Sequence, residues 1–247
     1  MQLRLIGFAL CPFAHRAATL LHEKGAPVDI EYVELTHTLG WFLAISPGGK
    51  GPLLVVDDHP LFESSAINEL VDEAYVPRLL PADLLQRARH RAWIEVANDL
   101  FAAQHKVVSA ATQDEHEEAL MLQQGVLGRF EDAIHGQYFD ERFGLVDVAV
   151  APAFYKLMIL EARSGVRFFD GFPKVEAWAP RLSSRASVVK GVLPDFEARY
   201  VASLTKKGSY FARELLEPRA IAIGRDAPRW RWSQAPSERS ARKLLLQ

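Results

Sequence analysis

The sequence predicts an α/β domain at residues 1–76, a linker at residues 77–82 and an all-helical domain at residues 83–205. Short strand patterns alternate with helix patterns as far as Tyr75, and only helical repeats follow Asp83. Proline recurs in the segment between them, and proline interrupts both helices and strand ladders. At roughly 150 residues per domain, a chain of 247 residues allows one large domain or two small ones, and the change of pattern favours two.

The α/β domain is predicted in the order β-α-β, connector, β-β-α. Pro12 takes the first helical position, which proline favours, and Gly25 ends that helix. The turn-forming residues 57–60 join two short strands into a hairpin. Ser64 is predicted as the N-cap of the last helix, which ends ahead of Pro77. The predicted strands cover residues 2–8, 28–33, 52–56 and 61–62, and the predicted helices cover residues 12–24 and 64–75.

The helical domain is predicted to have one central, buried helix. Residues 147–160 form a strongly apolar stretch, and a helix that is apolar on every side is covered on every side. The other helices are predicted to run from residue 83 through Leu100 and over residues 115–134, 175–184 and 194–203.

The composition excludes several classes of function. There are 29 basic and 31 acidic residues, and a formal net charge of −2 gives no field that would by itself recruit nucleic acid or an anionic membrane. No apolar run reaches the roughly 18 residues of a spanning helix, and the opening run is too short for an export signal. The single cysteine, Cys11, excludes an intramolecular disulfide framework. We therefore expect a cytoplasmic protein without nucleic-acid or membrane partners.

Metal and nucleotide sites are not expected either. The eight histidines show no His-Glu-x-x-His spacing, so no metal site is predicted. Residues 47–51 are glycine-rich but lack the Lys-Ser or Lys-Thr ending of a phosphate-binding loop. His15 follows Cys11 by one helical turn and is expected to lie partly exposed on the flank of its helix.

Cys11 lies where the first predicted strand gives way to the first predicted helix. The amide groups of a first helical turn point towards such a sulfur, and helix starts lower a thiol pKa from about 8.5 into the range of roughly 3.5 to 7.5. We therefore predict a nucleophilic thiolate; the alternative is a small, buried apolar residue. The motif Cys11-Pro12-Phe13-Ala14 has no second cysteine to resolve a mixed disulfide. An external thiol must therefore resolve the mixed disulfide, and glutathione is the abundant thiol of the cytosol.

Several motifs occur in order along the chain. They are Cys11-Pro12-Phe13-Ala14 with Arg16, Trp41-Phe42, residues 46–54 (Ser-Pro-Gly-Gly-Lys-Gly-Pro-Leu-Leu), Glu63-Ser64-Ser65-Ala66-Ile67 and Asp72-Glu73-Ala74-Tyr75. Over residues 1 to about 203 the chain resembles the cytosolic glutathione transferases, in particular a bacterial member of their cysteine-type, omega-like class. The resemblance implies an α/β thioredoxin-like N-terminal domain followed by an all-α glutathione-transferase C-terminal domain.

The resemblance also implies a glutathione site. In the family, the proline that matches Pro52 has a cis peptide bond, and the backbone of the residue before it, here Gly51, pairs with the cysteinyl part of glutathione. Glu63 and Ser64 match the clamp on the γ-glutamyl end, and Lys50 matches the cation for the glycine carboxylate. The implied set is Cys11 as the nucleophile, with Phe13, Lys50, Gly51, Pro52, Glu63 and Ser64 as glutathione-binding residues. The alternatives are an ordinary N-cap for Ser64 and a solvated loop lysine for Lys50.

The implied activity is that of a thioltransferase or deglutathionylase, with glutathione as cosubstrate. Relatives also reduce dehydroascorbate or cleave glutathione thioethers as lyases, and the sequence does not choose among these reactions. We expect a small hydrophobic or glutathionylated acceptor between the domains, near Phe13, with Trp93 and Phe101 in its pocket; both residues also suit a helix core. We also expect a homodimer. The alternative function is a non-catalytic module of the same fold that binds a ligand or assists assembly.

The capping box that often starts the central helix in the family is only half present in this chain. Asp147 stands near the start of the central helix, but the cap position three residues earlier holds Gly144 where relatives often have Ser or Thr. Glycine is a tolerated cap. We interpret Asp147 as structural.

Residues 206–247 form a basic C-terminal extension. They hold ten basic and four acidic residues, a net charge of +6, which leaves −8 on residues 1–205. We expect Tyr210 and Phe211 to anchor an ordered extension that docks on the chain's own acidic surface and shapes the choice of acceptor. The alternative is a solvated tail.

Overall fold

A computed structural model of the chain describes residues 1–33, 40–46 and 48–216. It has the predicted fold, a thioredoxin-like α/β part followed by an all-helical part. The strands are β1 (Leu3–Gly7), β2 (Val28–Tyr32), β3 (Leu53–Val56) and β4 (His59–Phe62). The helices are α1 (Pro12–Glu23), α2 (Gly40–Ile45), α3 (Ser64–Ala74), α4 (Leu84–Ser109), α5 (Gln113–Ala133), α6 (Leu145–Ser164), α7 (Pro173–Ser183), α8 (Ala186–Lys190) and α9 (Phe196–Lys207). The domain boundaries given above stay predictions.

The four strands form one mixed sheet in the order β2-β1-β3-β4. β1 pairs with β2 in parallel, with Leu5 opposite Ile30, and with β3 in antiparallel fashion, with Leu5 opposite Leu54. β3 and β4 form the predicted hairpin, and its turn holds Asp57 at φ 45° and Asp58 at φ 71°. Asp and Asn tolerate this left-handed conformation better than other side chains do, which explains the turn signal in the sequence.

The end of β1 and the start of β3 bring two loops together. Ile6 lies opposite Leu53 in the antiparallel pair, so the loop after β1 meets the segment before β3. Cys11 ends the first loop, and Gly51 and Pro52 form the second segment. The Gly51–Pro52 peptide bond is cis, as the resemblance implies. The sheet topology thus brings the candidate nucleophile beside the cis-proline segment.

Helix α1 packs closely on β1. A Cβ atom at Gly7 would lie 2.8 Å from the Cβ atom of Ala14, so this approach requires glycine. Pro12 opens the helix and Gly25 follows it at φ 60°, as predicted. The close packing fixes where the first turn of α1 lies relative to the sheet.

Helix α6 is the central helix, as predicted. It packs against α1, α4 and α7, and its residues from Leu145 to Phe154 are buried. Asp147 accepts hydrogen bonds from the amide of Gly144 at 2.8 Å and from the indole of Trp178 at 2.8 Å. Burial raises the pKa of Asp147 to about 6. Asp147 supplies the side-chain half of the helix cap, so its interpretation as structural is confirmed.

A buried ion pair fixes the segment between the two parts. Asp72 on α3 accepts hydrogen bonds from the amides of Leu79 at 2.7 Å and Leu80 at 3.0 Å. The ammonium of Lys24 lies 2.6 Å from the same carboxylate, and both side chains are almost fully buried. The connection from α3 to α4 is therefore tied to the end of α1.

The described part of the C-terminal extension packs on the helical part. Helix α9 runs to Lys207, and the ring of Tyr210 lies 5.2 Å from that of His116 on α5. Phe211 is fully buried and lies 5.8 Å from His116. The anchoring role of Tyr210 and Phe211 is confirmed for this segment. Residues 217–247 lie outside the described residues, so the docking of the extension and its effect on the acceptor stay predictions.

Two further findings concern the described residues. In the described ranges, none of the helices combines the length and apolar character that a membrane crossing requires. Within the same ranges, no three His, Cys, Asp or Glu side chains are grouped so as to hold a metal ion.

Candidate functional site

Cys11 is the N-cap residue of α1 and is partly buried. Its Sγ lies 3.8 Å from the carbonyl oxygen of Gly51. The backbone amides of Phe13 and Ala14, in the first turn of α1, also act on the sulfur. The thiol therefore faces the segment that the resemblance assigns to the cysteinyl part of glutathione.

The predicted low pKa of Cys11 is wrong. Burial raises the pKa of the thiol and outweighs the amides of Ala14 and Phe13, which lower it. The positive charges of Lys156 and Arg16 also lower it. The position of Cys11 at a helix start follows from local sequence, whereas the burial of its sulfur depends on tertiary packing.

Arg16 on α1 is a buried guanidinium, 2% exposed, that joins three helices. It donates to the Ser64 hydroxyl from Nε at 2.9 Å and from Nη2 at 2.7 Å. It also donates to the Ser65 hydroxyl at 3.2 Å on α3 and to the Asn98 side-chain oxygen at 2.9 Å on α4. Its carbon Cζ lies 5.0 Å above the ring of Phe13, a cation–π contact. Burial lowers the pKa of Arg16 to about 10.

The start of α3 differs from the prediction. Glu63 takes the N-cap position, with φ 66° and no side-chain cap, and Ser64 is the first helical residue. The predicted N-cap role of Ser64 is therefore wrong, because its buried hydroxyl is held by Arg16 instead. The side chain of Glu63 is exposed. A buried hydroxyl held by Arg16 therefore lies next in the chain to the accessible carboxylate of Glu63.

A buried serine holds the loop of Lys50. The hydroxyl of Ser46 donates to the carbonyl of Lys50 at 2.9 Å and accepts from its amide at 3.0 Å. Ser46 is buried, whereas the side chain of Lys50 is exposed. The loop backbone next to Gly51 is therefore braced while the ammonium group of Lys50 stays accessible.

The structure separates the two aromatic residues predicted for the acceptor pocket. The ring of Phe101 lies 5.2 Å from that of Phe13 in an edge-to-face contact. Trp93 lies two turns earlier on α4, about 12 Å along the helix, and packs 5.2 Å from Phe130 and 5.3 Å from Phe139. Trp93 is partly buried against the helical core, and Phe101 is buried in that core at 6% exposed, so the place of both residues in an acceptor pocket stays a prediction.

His15 is not partly exposed as predicted. It is 2% exposed, and its Nε2 lies 2.9 Å from the carbonyl oxygen of Val188 on α8. Its ring packs 5.4 Å from that of Tyr155. Burial lowers the pKa of His15 to about 4. The prediction failed because α8, which covers α1, was not predicted.

A cavity of about 280 Å³ opens between α3, α4 and α6. It is lined by Ser65, Asn68 and Glu95, among others, next to the residues that Arg16 holds. Asn68 is buried, and among the residues that the structure describes its side-chain oxygen has no hydrogen-bond partner. The cavity therefore adjoins the Ser64 end of the candidate site.

Two family models match the chain. The model of the glutathione S-transferase N-terminal domain matches residues 10–74, and that of the glutathione S-transferase C-terminal domain matches residues 92–186. The chain belongs to the glutathione S-transferase family.

Individual relatives agree with the assignment of this chain as a glutathione S-transferase. Glutathione S-transferase U13 of Arabidopsis thaliana is 30% identical over 210 residues, which is 78% of this chain and 91% of the relative. Glutathione transferase Omega 3C from Trametes versicolor has a TM-score of 0.71 at 28% identity, over 77% of this chain and 89% of that chain. Rice GST1, solved in complex with glutathione, has a TM-score of 0.73 at 26% identity, over 83% of this chain and 97% of that chain.

One buried cation of this glutathione S-transferase has no functional signal in the sequence. Lys156 on α6 is 8% exposed, and its ammonium donates to the carbonyl of Leu10 at 2.8 Å. It also lies 5.1 Å from the ring centre of Tyr200. In the sequence it is a single lysine within the apolar stretch 147–160, and that stretch predicts only a buried helix.

Proposed function

We propose that this glutathione S-transferase is a cysteine-type, omega-like enzyme that uses Cys11 as the nucleophile in glutathione-dependent thiol transfer. The observation that carries the proposal is the 3.8 Å distance from the Sγ atom of Cys11 to the Gly51 carbonyl, in the segment that precedes β3. A glutathione whose cysteinyl backbone paired with Gly51 would have its sulfur beside the thiol. Similarity to Omega 3C supports the class.

The proposed reaction is two thiol–disulfide exchanges. The thiolate of Cys11 attacks the glutathione sulfur of a glutathionylated acceptor; a bond from Cys11 to that sulfur forms, the acceptor's disulfide bond breaks, and the acceptor leaves as a thiolate that takes a proton from water. A second glutathione thiolate then attacks the glutathione sulfur of the mixed disulfide. Glutathione disulfide leaves, and Cys11 is restored as a thiolate. The acceptor sulfur is reduced, the incoming glutathione is oxidised, and the transferred glutathionyl sulfur stays at the disulfide level.

The proposed glutathione site uses the residues that the fold groups around this segment. Ser64 offers its hydroxyl to the γ-glutamyl carboxylate, and the exposed Glu63 pairs with the γ-glutamyl ammonium. Lys50 pairs with the glycine carboxylate, and Gly51 and Pro52 hold the cysteinyl part. The rice relative solved with glutathione supports glutathione as the cosubstrate.

The proposed acceptor is small and either hydrophobic or glutathionylated. It would contact Phe13 and Phe101, whose rings lie 5.2 Å apart where α1 meets α4. An apolar acceptor group is favoured there because both contacting side chains are aromatic.

The test is glutathione-affinity retention followed by a thioltransferase assay on the wild type, Cys11→Ser and Cys11→Ala. We expect all three proteins to be retained and only the wild type to transfer the thiol. Full activity in Cys11→Ala would contradict the mechanism. Retention of the wild type without any glutathione-dependent activity would favour the non-catalytic binding module instead.

We also propose a cytoplasmic homodimer. The side chains of Phe62 on β4 and Leu70 on α3 are large, apolar and exposed, at 46% and 37%, on elements that pack against each other. Exposed apolar side chains on neighbouring elements suit an interface between copies. The cytoplasmic location is proposed because a reducing compartment keeps Cys11 a free thiol. Light scattering should give twice the chain mass for the wild type and a lower mass for Phe62→Ser with Leu70→Ser.

A further inference from the structure

Lys156 is the one charged residue in the apolar stretch 147–160 of α6 apart from Asp147 at its start. The two described partners of its ammonium are the carbonyl of Leu10, at 2.8 Å, and the ring of Tyr200, at 5.1 Å. Leu10 directly precedes Cys11. The ammonium is therefore fixed beside the backbone that carries the thiol.

Within the described ranges, no carboxylate forms an ion pair with Lys156. A buried cation without a counter-charge has a large desolvation cost, and replacement by an apolar residue of similar size is often neutral or stabilising. Folding alone therefore gives little reason for a lysine at this position. A functional role for the positive charge explains the lysine at position 156 better than folding does.

The charged and titratable groups around Lys156 belong to several elements. Cys11 at the start of α1 acts on it as a potential negative charge, and Lys207 on α9 acts as a positive one. His15 on α1 and His105 on α4 also experience the charge of Lys156. Burial lowers the pKa of Lys156 to about 8, so it is mostly charged at neutral pH. Of these groups, Cys11 alone can supply a negative charge.

Arg16 is the other cation that acts on the thiol. Its guanidinium is already engaged by the Ser64, Ser65 and Asn98 side chains. The ammonium of Lys156 has a single hydrogen bond and two further donor hydrogens. Of the two cations, Lys156 therefore has more free donor capacity with which to stabilise a negative charge on the sulfur.

We propose that Lys156 is a positioning residue for Cys11: its buried ammonium, held by the Leu10 carbonyl and the Tyr200 ring, stabilises the thiolate form of the nucleophile. The inference rests on the proposed function for its biological meaning. The ionisation itself is independent of glutathione, since it needs only the thiol, water and the nearby charge. The competing explanation is a purely structural tie between α6 and the loop that precedes α1.

The test is the rate of iodoacetamide alkylation of Cys11 as a function of pH, in the full chain. Because Cys11 is the only cysteine, every alkylation event reports on it. The variants are Lys156→Met and Lys156→Gln, which remove the charge, and Lys156→Arg, which keeps it. The control is Lys174→Met, because exposed Lys174 also donates to a backbone carbonyl, that of Ile134, and is not among the charges that act on Cys11.

We expect Lys156→Met and Lys156→Gln to slow alkylation at pH 7 about tenfold, because Lys156 carries its charge at this pH in the wild type. Lys156→Arg and Lys174→Met should stay near the wild type. A wild-type alkylation rate at pH 7 in a folded Lys156→Met or Lys156→Gln variant, with only the melting temperature changed, would establish the structural tie and overturn the proposal. If the wild type shows no thiol transfer but its Cys11 is alkylated faster at pH 7 than in the neutral variants, the proposed function would be contradicted and this inference would stand.

Discussion

Arg16 donates two hydrogen bonds to the hydroxyl oxygen of Ser64, from Nε at 2.9 Å and from Nη2 at 2.7 Å. A serine hydroxyl has two acceptor sites and one donor hydrogen, so its remaining capacity is to donate. Arg16 also binds Asn98 on α4 at 2.9 Å. The donor direction of Ser64 is therefore set jointly by α1 and by the helical part of the chain.

We predict that Arg16→Met weakens glutathione binding at least tenfold, because Ser64 loses the group that orients its hydroxyl. Hydrogen bonds to charged groups contribute about 1.5 to 3 kcal/mol each. Titration calorimetry with glutathione measures the change, and circular dichroism checks the fold. Arg91→Met is the control, because Arg91 forms an exposed pair with Glu69 at 2.8 Å. Unchanged affinity in folded Arg16→Met would contradict this role.

Glu63→Ala and Ser64→Ala should each weaken glutathione binding by about 1.5 to 3 kcal/mol, since each removes a charge-assisted contact. The rate of the step within the bound complex should change less, because neither residue reacts. Calorimetry and steady-state kinetics together separate the two effects. The control is Glu69→Ala on the same helix. Wild-type affinity in both variants would show that these residues do not hold the γ-glutamyl end.

The sequence predicted what depends on local pattern. Proline and glycine marked both ends of α1, and the apolar stretch at 147–160 identified the central helix, because these signals lie within a few residues of the structure they specify. Helices α2 and α8 have only six and five residues, which is too short for a periodic signal. Short helices are set by packing more than by their own sequence.

Long-range packing explains why some predictions about the candidate site are wrong. His15 is covered by Val188, 173 residues away, and Ser64 is held by Arg16, 48 residues away. No local pattern encodes either contact. The pKa of Cys11 was predicted with the wrong sign for the same reason, since burial by distant residues outweighs the amides of its own helix.

Burial of His15 predicts a loss of stability at acidic pH. Its pKa is about 4 in the folded protein, against 6.5 as the ordinary value, so the unfolded chain binds more protons between these pH values. Stability should therefore fall as the pH drops from 6.5 towards 4, by about 2 kcal/mol from this group at pH 5. Urea unfolding at pH 7.5 and pH 5 measures the loss.

The matching variant is His15→Gln, in which this part of the pH dependence should disappear. His59→Gln is the control, because His59 is exposed. An equal pH dependence in the wild type and in His15→Gln would show that His15 is not buried in its neutral form.

Removal of residues 217–247 should preserve glutathione binding and alter the choice among acceptors. The truncation should follow Leu216, because Leu204 and Phe211 are buried and their loss would damage the helical core. A panel of glutathione conjugates of increasing size, compared with the full chain, measures the acceptor profile. An unchanged profile would mean that the extension does not contribute to acceptor choice.

The central claim is that Cys11 carries the glutathionyl group during turnover. Intact-mass spectrometry after incubation with glutathione disulfide tests it directly, without an assumed acceptor. We predict one glutathionyl adduct per chain in the wild type, localised to Cys11 by peptide mapping, released by added glutathione and absent in Cys11→Ser. A wild type that catalyses thiol transfer without ever forming the adduct, or a Cys11→Ser variant with full thiol-transfer activity, would contradict the account.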